Sequence, residues 1–305
     1  MATFYINGTT LSNSTAIFTD AELTTCAVDG FYSDGNIVRE QATCLLLPIV
    51  ECPDCLSPCD TGPISQAGGS GIFSLDLDLG DTVSDIGAVI IKFVPVLVPD
   101  GIKATYNGVS YNKLSSDFDG YHGGTVSGGY TYTGAVLNPA PCVPIAGTAY
   151  VLDKYRYNGT SFVSTGLTEN VTPQSGELSF SPANPGNLYM VVPKTTASPQ
   201  SINIEIVGAC TNTAFGIEVS CPALLTGYQS TGSAAASSAT ACTFAVNTTY
   251  YSAPVAGTPG VPEIFDWVFS DPYGEFVLPA GYYQITGNEW IQVDANGIVE
   301  AKGNC

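Results

Sequence analysis

The stretch from Gly71 to Tyr111 constrains this chain more than any other. Phe73, Leu75, Leu77 and Leu79 alternate with Ser74, Asp76 and Asp78. That period of two suits a strand with one face buried and one face wet. Gly80-Asp81 closes it. Ile86–Val94 follows as a nearly unbroken apolar run, which predicts a strand covered on both faces. Pro99-Asp100-Gly101 carries turn chemistry, because Pro presets one corner and Gly supplies a positive φ. Ile102–Tyr106 and Val109–Tyr111 then flank Asn107-Gly108, a pair suited to a two-residue hairpin. No helical period separates these segments. The fold class this predicts is all-β, with a central β-sandwich or jelly-roll-like domain.

Strand and turn signals of the same kind run through all 305 residues, with Gly 33, Pro 20 and only 11% charged residues. Apolar residues reach 45%, too many for a disordered chain. The net charge of −19 repels a phosphate backbone and argues against a nucleic-acid partner. Solubility is the plain reading of that charge. Cation binding at Asp76, Asp78, Asp81 and Asp85, or at Asp117 and Asp119, is the sharper one. Alternate Asp residues on a strand point into solvent, however, and Asp117-Phe-Asp119-Gly120 is too short for a calcium loop. The longest apolar stretch is broken by Lys92 and Pro95, so no membrane-spanning segment is expected. Met1-Ala-Thr-Phe-Tyr-Ile-Asn7 has no features of a signal peptide. Ten cysteines nevertheless suggest disulfides and an oxidising environment. A protein made in a host cytoplasm and working outside it after lysis fits both observations.

Three modules are expected: 1–60, ending in the Cys-rich run Cys52–Cys59; the central sandwich, 61–222; and 223–305, opened by a small-residue tract over Ser230–Ala241 that reads as a linker or a short helix, the linker being favoured. The outer two echo each other. Ile17-Phe-Thr-Asp20, then Asp29-Gly-Phe-Tyr32 and Ile37-Val-Arg39, match Val268-Phe-Ser-Asp271, then Ala280-Gly-Tyr-Tyr283 and Trp290-Ile-Gln-Val293. Phe31, Tyr32, Tyr282 and Tyr283 are the expected buried anchors of a shared docking mode, since aromatic residues dominate interface energetics.

The first module resembles a segment that recurs in virion structural proteins of tailed bacteriophages. The resemblance rests on Ala16–Thr25, Val28–Glu40, Leu45-Leu-Leu-Pro48 and Cys52-Pro-Asp-Cys55. Gly87–Tyr111 and Val191–Lys194 resemble those proteins more loosely. This implies a particle component of tail or head, partnered by other virion proteins. It transfers no catalytic or ligand residue.

Candidate sites are few. The single histidine, His122, sits in a Gly-rich loop beside Asp117, Asp119 and Tyr121, with no nucleophile elbow or zinc-protease pattern, so no catalytic residue is assigned. Cys52, Cys55 and Cys59, with Cys26 or Cys44, read as disulfide partners, or alternatively as a four-Cys zinc site. Cys210 and Cys221 flank a strand-turn-strand unit and are expected to bridge neighbouring strands. Cys242 and Cys305 are expected to pin the ends of the last module. Tyr121, Tyr130 and Tyr132 are either a stacking surface for sugar rings or packing residues. The reading is a non-enzymatic virion component, homo-oligomeric or bound to other virion proteins, with no cofactor and no metal. A glycan-binding adhesin is the alternative, and a glycan-active enzyme the third reading.

Overall fold

The structure is a computed structural model. It describes residues 3–33, 38–48, 56–60, 62–96, 98–116, 124–126, 129–134, 144–173, 186–254 and 258–305. The fold is all-β. Among the described residues the only α-helix is Ser238–Ala241, capped by the Ser237 side chain, which accepts from the Thr240 N–H. Of the two readings of Ser230–Ala241, the favoured linker gives way to the short helix at Ser238–Ala241, and the start of the tract belongs to the strand Thr226–Thr231. The chain divides into two compact units, 1–57 with 157–163, and 58–156 with 164–305. The expected boundary at 222/223 falls inside the larger unit.

The core of the larger unit is a β-sandwich. One sheet runs in the order Gly124–Val126, Tyr130–Thr133, Asp100–Tyr106, Ser201–Gly208, Gly71–Asp78, Tyr150–Tyr157, Phe162–Val171. From Gly124–Val126 to Gly71–Asp78 the neighbours are antiparallel, and Gly71–Asp78 pairs parallel with Tyr150–Tyr157. The other sheet runs Ser115–Ser116, Leu188–Lys194, Gly87–Pro95, Ala214–Val219, Ile64–Ala67. The period-two pattern sets the inner faces. Phe73, Leu75 and Leu77 from the first sheet and Val89, Ile91 and Phe93 from the second are almost wholly buried. Phe215 joins the layers, with its ring centroid 5.3 Å from Phe73 and 6.3 Å from Phe93. The expected hairpin is present, with Asn107 and Gly108 both at positive φ between Asp100–Tyr106 and Val109–Tyr111.

The C-terminal module is a six-stranded sheet in the order Trp267–Phe269, Val246–Ala253, Thr226–Thr231, Gly281–Ile285, Glu289–Val293, Val299–Asn304. Its core holds Tyr228, Val268, Leu278, Tyr283, Ile291, Val293 and Val299. The smaller unit is built on Tyr5–Ile6 paired with Ile17–Phe18, and on the sheet Gly30–Ser33, Val38–Ala42, Leu45–Leu46. Leu11, Ile17, Ala27 and Leu46 form its core, with Ile6 and Tyr32 packed against them.

The echo in the sequence is a structural repeat that extends to individual hydrogen bonds. Asp20 accepts from the Thr24 and Thr25 N–H groups at 2.9 and 2.6 Å; Asp271 accepts from those of Glu275 and Phe276 at 3.2 and 2.7 Å. The Thr19 N–H donates to the Thr25 carbonyl, as Ser270 does to Phe276; Ala27 donates to Ile17, as Leu278 does to Val268. The Tyr32 hydroxyl donates to the Val28 carbonyl at 2.6 Å, and the Tyr283 hydroxyl to that of Pro279 at 2.8 Å. Cross-strand pairs match too: Tyr5↔Phe18 with Tyr251↔Phe269, and Tyr32↔Arg39 with Tyr283↔Ile291. Leu23 and Gly274 share a positive φ at one loop position.

The repeats differ in what fills their cores. Arg39 and Gln41 stand where the C-terminal repeat has Ile291 and Val293. The buried Arg39 guanidinium donates to the carbonyls of Leu11, Ser12, Ser14, Leu46 and Leu47. Gln41 accepts from the Ile17 N–H and donates to the Ile17 and Ala27 carbonyls. The disulfide Cys26–Cys44 stands where Val277 packs over Gly297. A Cβ on Gly297 would lie 2.6 Å from Val277 Cβ, so the one closure excludes the other.

Two further disulfides are Cys242–Cys305 and Cys59–Cys221. The second corrects two expectations. Cys221 bridges to Cys59 rather than Cys210, which is itself disulfide-bonded, because the chain entering the sandwich at Cys59 runs beside the end of Ala214–Val219: the Asp60 N–H donates to the Val219 carbonyl. With Cys59 bonded to Cys221, and Cys26 to Cys44, Cys26, Cys44 and Cys59 are not left for zinc. Cys52 and Cys55 lie outside the described residues.

Candidate interaction surfaces

The C-terminal repeat is docked on the sandwich. Its strands alternate, so Val268 points into its own core while Trp267 and Phe269 point the other way. Trp267 and Phe269, their rings stacked at 6.3 Å, together with Tyr251 and Ile298 meet Ala88, Ile90, Val191 and Leu225. Ala88 and Ile90 are the outward residues of Gly87–Pro95, and Val191 is cross-paired with Ile90. That strand is thus apolar on both faces because the sandwich core covers one and the C-terminal repeat the other. Gly274 permits the close approach, since a Cβ there would lie 2.8 Å from Val191 Cγ1 and 3.4 Å from Ala88 Cβ.

The repeat relation assigns the same face to the N-terminal repeat. Tyr5, Phe18, Leu23 and Leu45 stand where Tyr251, Phe269, Gly274 and Ile298 stand. Ala16 replaces Trp267. Among the described residues of the smaller unit nothing covers this face: Tyr5 is 38% exposed, Leu23 37% and Leu45 55%, and Phe18 is half-buried.

Beside the docked interface lies a cleft of about 400 Å³, lined by Tyr106, Tyr111, Asn112, Lys113, Trp267 and Glu275 among others. The Lys113 ammonium donates to Asn296 at 3.1 Å, and the Tyr106 hydroxyl to the Pro199 carbonyl at 3.1 Å. Burial raises both phenols above their ordinary pKa, and the Glu275 carboxylate adds to the shift at Tyr111. The cleft thus combines neutral phenols, amides and one charge of each sign with apolar walls from Met190, Val191, Trp267 and Phe269.

Of the residues singled out from sequence, Phe31 is 70% exposed and Tyr32 half-buried. Tyr282 is half-buried, edge-on to Trp290 at 5.6 Å, and Tyr283 is buried in the C-terminal core, its phenol pushed up to about 12 chiefly by burial. Within the chain, only Tyr283 of the four is buried. Phe31 faces solvent because its strand alternates and Tyr32 takes the inward place. Tyr130 and Tyr132 are packed with Ile72, Leu152 and Val207 and offer no stacking surface. The Tyr130 ring lies 4.4 Å from the Lys103 ammonium. Tyr121 and His122 lie outside the described residues. The docking residues Trp267 and Phe269 were missed, although the alternation Trp267-Val268-Phe269 marks both faces of one strand as apolar. Among the described residues no group of three or more His, Cys, Asp or Glu side chains is placed to hold a metal. No helix among them is long and apolar enough to cross a membrane.

No protein-family model, no curated protein and no solved structure matches this chain.

Proposed function

We propose that this protein is a non-enzymatic structural component of a bacteriophage virion, in tail, fibre or head decoration, and works by assembling with other subunits of the particle. One observation carries the reading: a docking module occurs twice in the chain, once seated on a β-sheet and once with the same face open. Disulfides that tie both repeats and a strongly acidic surface suit a protein exposed after lysis. Deleting residues 1–51 tests the reading. The expected outcome is a folded larger unit, seen as an unchanged strand spectrum in circular dichroism, that no longer enters particles. A truncated protein recovered at wild-type occupancy overturns it.

A second reading, a carbohydrate-binding adhesin, is favoured by the cleft at Tyr106, Tyr111 and Lys113. A glycan array on the isolated protein checks it, with Tyr111→Ala expected to abolish any signal. Binding unaffected by that substitution removes the cleft from the account.

A further inference from the structure

We infer that the disulfide Cys26–Cys44 is a redox latch on the N-terminal repeat. With the bond formed the repeat is closed; with both thiols reduced, its Leu45–Leu46 strand comes away from the core. The C-terminal repeat closes the same turn without sulfur.

The latch holds a turn that its own residues oppose. Val38–Ala42 and Leu45–Leu46 pair through Ala42↔Leu45, which leaves Thr43 and Cys44 as a two-residue hairpin loop. Both have positive φ, +50° and +63°. A two-residue turn of this kind favours Asn-Gly, the pair that makes it at Asn107-Gly108. Thr43 is β-branched and Cys44 carries a Cβ, so the backbone here is strained and persists only where its surroundings over-determine it. The Thr43 N–H donates to the Asp29 carboxylate at 2.8 Å, and Cys44 is bonded to Cys26.

The twin repeat shows the same closure made without a disulfide. Gly297, at φ +82°, stands at the place of Cys44, and Val277 at that of Cys26. Glycine takes that backbone freely. The Asp294 carboxylate also fixes this loop, accepting from the Asn296 and Ile298 N–H groups at 2.8 Å each.

The latch secures a small core. Leu46 belongs to that core with Leu11, Ile17 and Ala27, and it follows Cys44 by two residues. A core of this size gives little stability unaided. Arg39 takes two of its acceptors, the carbonyls of Leu46 and Leu47, from the same segment. When the strand leaves, the core and the polar network open together. Leu45 lies on the open face, so that face is complete only in the latched chain. This consequence for docking rests on the particle reading; the latch itself does not.

Closing the latch is thiol–disulfide exchange. One thiolate of the pair attacks a small disulfide such as glutathione disulfide and releases one glutathione thiolate. The second attacks the mixed disulfide and releases the other. The cysteine pair loses two protons and two electrons, and the oxidant becomes two thiols. Excess reduced glutathione runs the exchange backwards.

Amide hydrogen exchange on the full-length chain tests this. The probes are Ala27, whose N–H donates to the Ile17 carbonyl at 2.9 Å, and Leu46, whose N–H donates to that of Thr15 at 2.8 Å. Leu278, donating to the Val268 carbonyl, is the internal control in the twin. With Cys26→Ser and Cys44→Ser together, exchange at Ala27 and Leu46 is expected to be about a hundredfold faster than in wild type, and Leu278 unchanged. With Cys26→Val and Cys44→Gly, the twin's pair, it is expected to return to within about tenfold of wild type without any disulfide at this turn. Wild-type protection in the Ser variant overturns the latch. Equal loss at Leu278 also overturns it, because the effect is then not confined to this repeat. A Val and Gly variant as open as the Ser variant removes the strained turn as the cause and overturns the inference with it.

Discussion

Two buried polar residues do the most at the residue scale. Arg39 replaces an aliphatic core residue of its twin and satisfies five carbonyls. Arg39→Met is expected to cost about 3 kcal/mol or more, because it strands several buried acceptors at once; thermal melting of the full chain checks this. Asp100 is wholly buried, and neither of its oxygens has a hydrogen-bond partner among the described residues. The nearby Thr213 hydroxyl is engaged by the Cys210 carbonyl. Burial raises the Asp100 pKa well above 3.8, outweighing the opposing effect of the nearby Thr213. The folded chain then holds a proton that the unfolded chain releases, so stability is whole below the unfolded value of 3.8 and falls as pH rises toward the folded one. The slope is up to about 1.4 kcal/mol per pH unit. Denaturant titrations from acid to neutral pH are expected to show that decline in wild type and to lose it in Asp100→Asn. An unchanged slope in the variant assigns the decline to other groups.

At the scale of elements, the docked loop is the sensitive part. Gly274→Leu gives the C-terminal repeat the residue of its twin and drives it into Val191. Overpacking of this kind costs about 1–3 kcal/mol. Val191→Ala in the same chain is expected to recover part of that loss, a coupling that a double-mutant cycle in denaturant measures. Additive effects would show that the loop, and not the contact, is what the substitution disturbs. The elements were also where the sequence was most legible. The alternation at Phe73–Leu79 and the Asn107-Gly108 turn each carry a local physical signature, and both are present. The run Ile86–Val94 was legible as doubly covered, but its cover was not, because that comes from residues far along the chain. Cys59–Cys221 escaped for the same reason, since a disulfide across 162 residues leaves no spacing rule to read. Tyr130 and Tyr132 were ambiguous because a Gly-rich neighbourhood looks alike around a binding loop and a buried strand.

For the whole molecule, disulfides at the entry to the sandwich and around the C-terminal module fix how the larger unit is closed. Opening Cys59–Cys221 by Cys59→Ser with Cys221→Ser releases a long loop and is expected to cost about 3–5 kcal/mol, read by melting against wild type. The central claim concerns the open face of the N-terminal repeat, and a full-length Tyr5→Asp, Leu45→Asp double variant tests it most directly. Both residues are exposed, so the melting temperature should stay near that of wild type. The measurement is the number of copies per purified particle, by quantitative mass spectrometry beside wild type. The account predicts a folded, soluble protein that is depleted from particles by about tenfold or more. A folded variant present at wild-type copy number would contradict it.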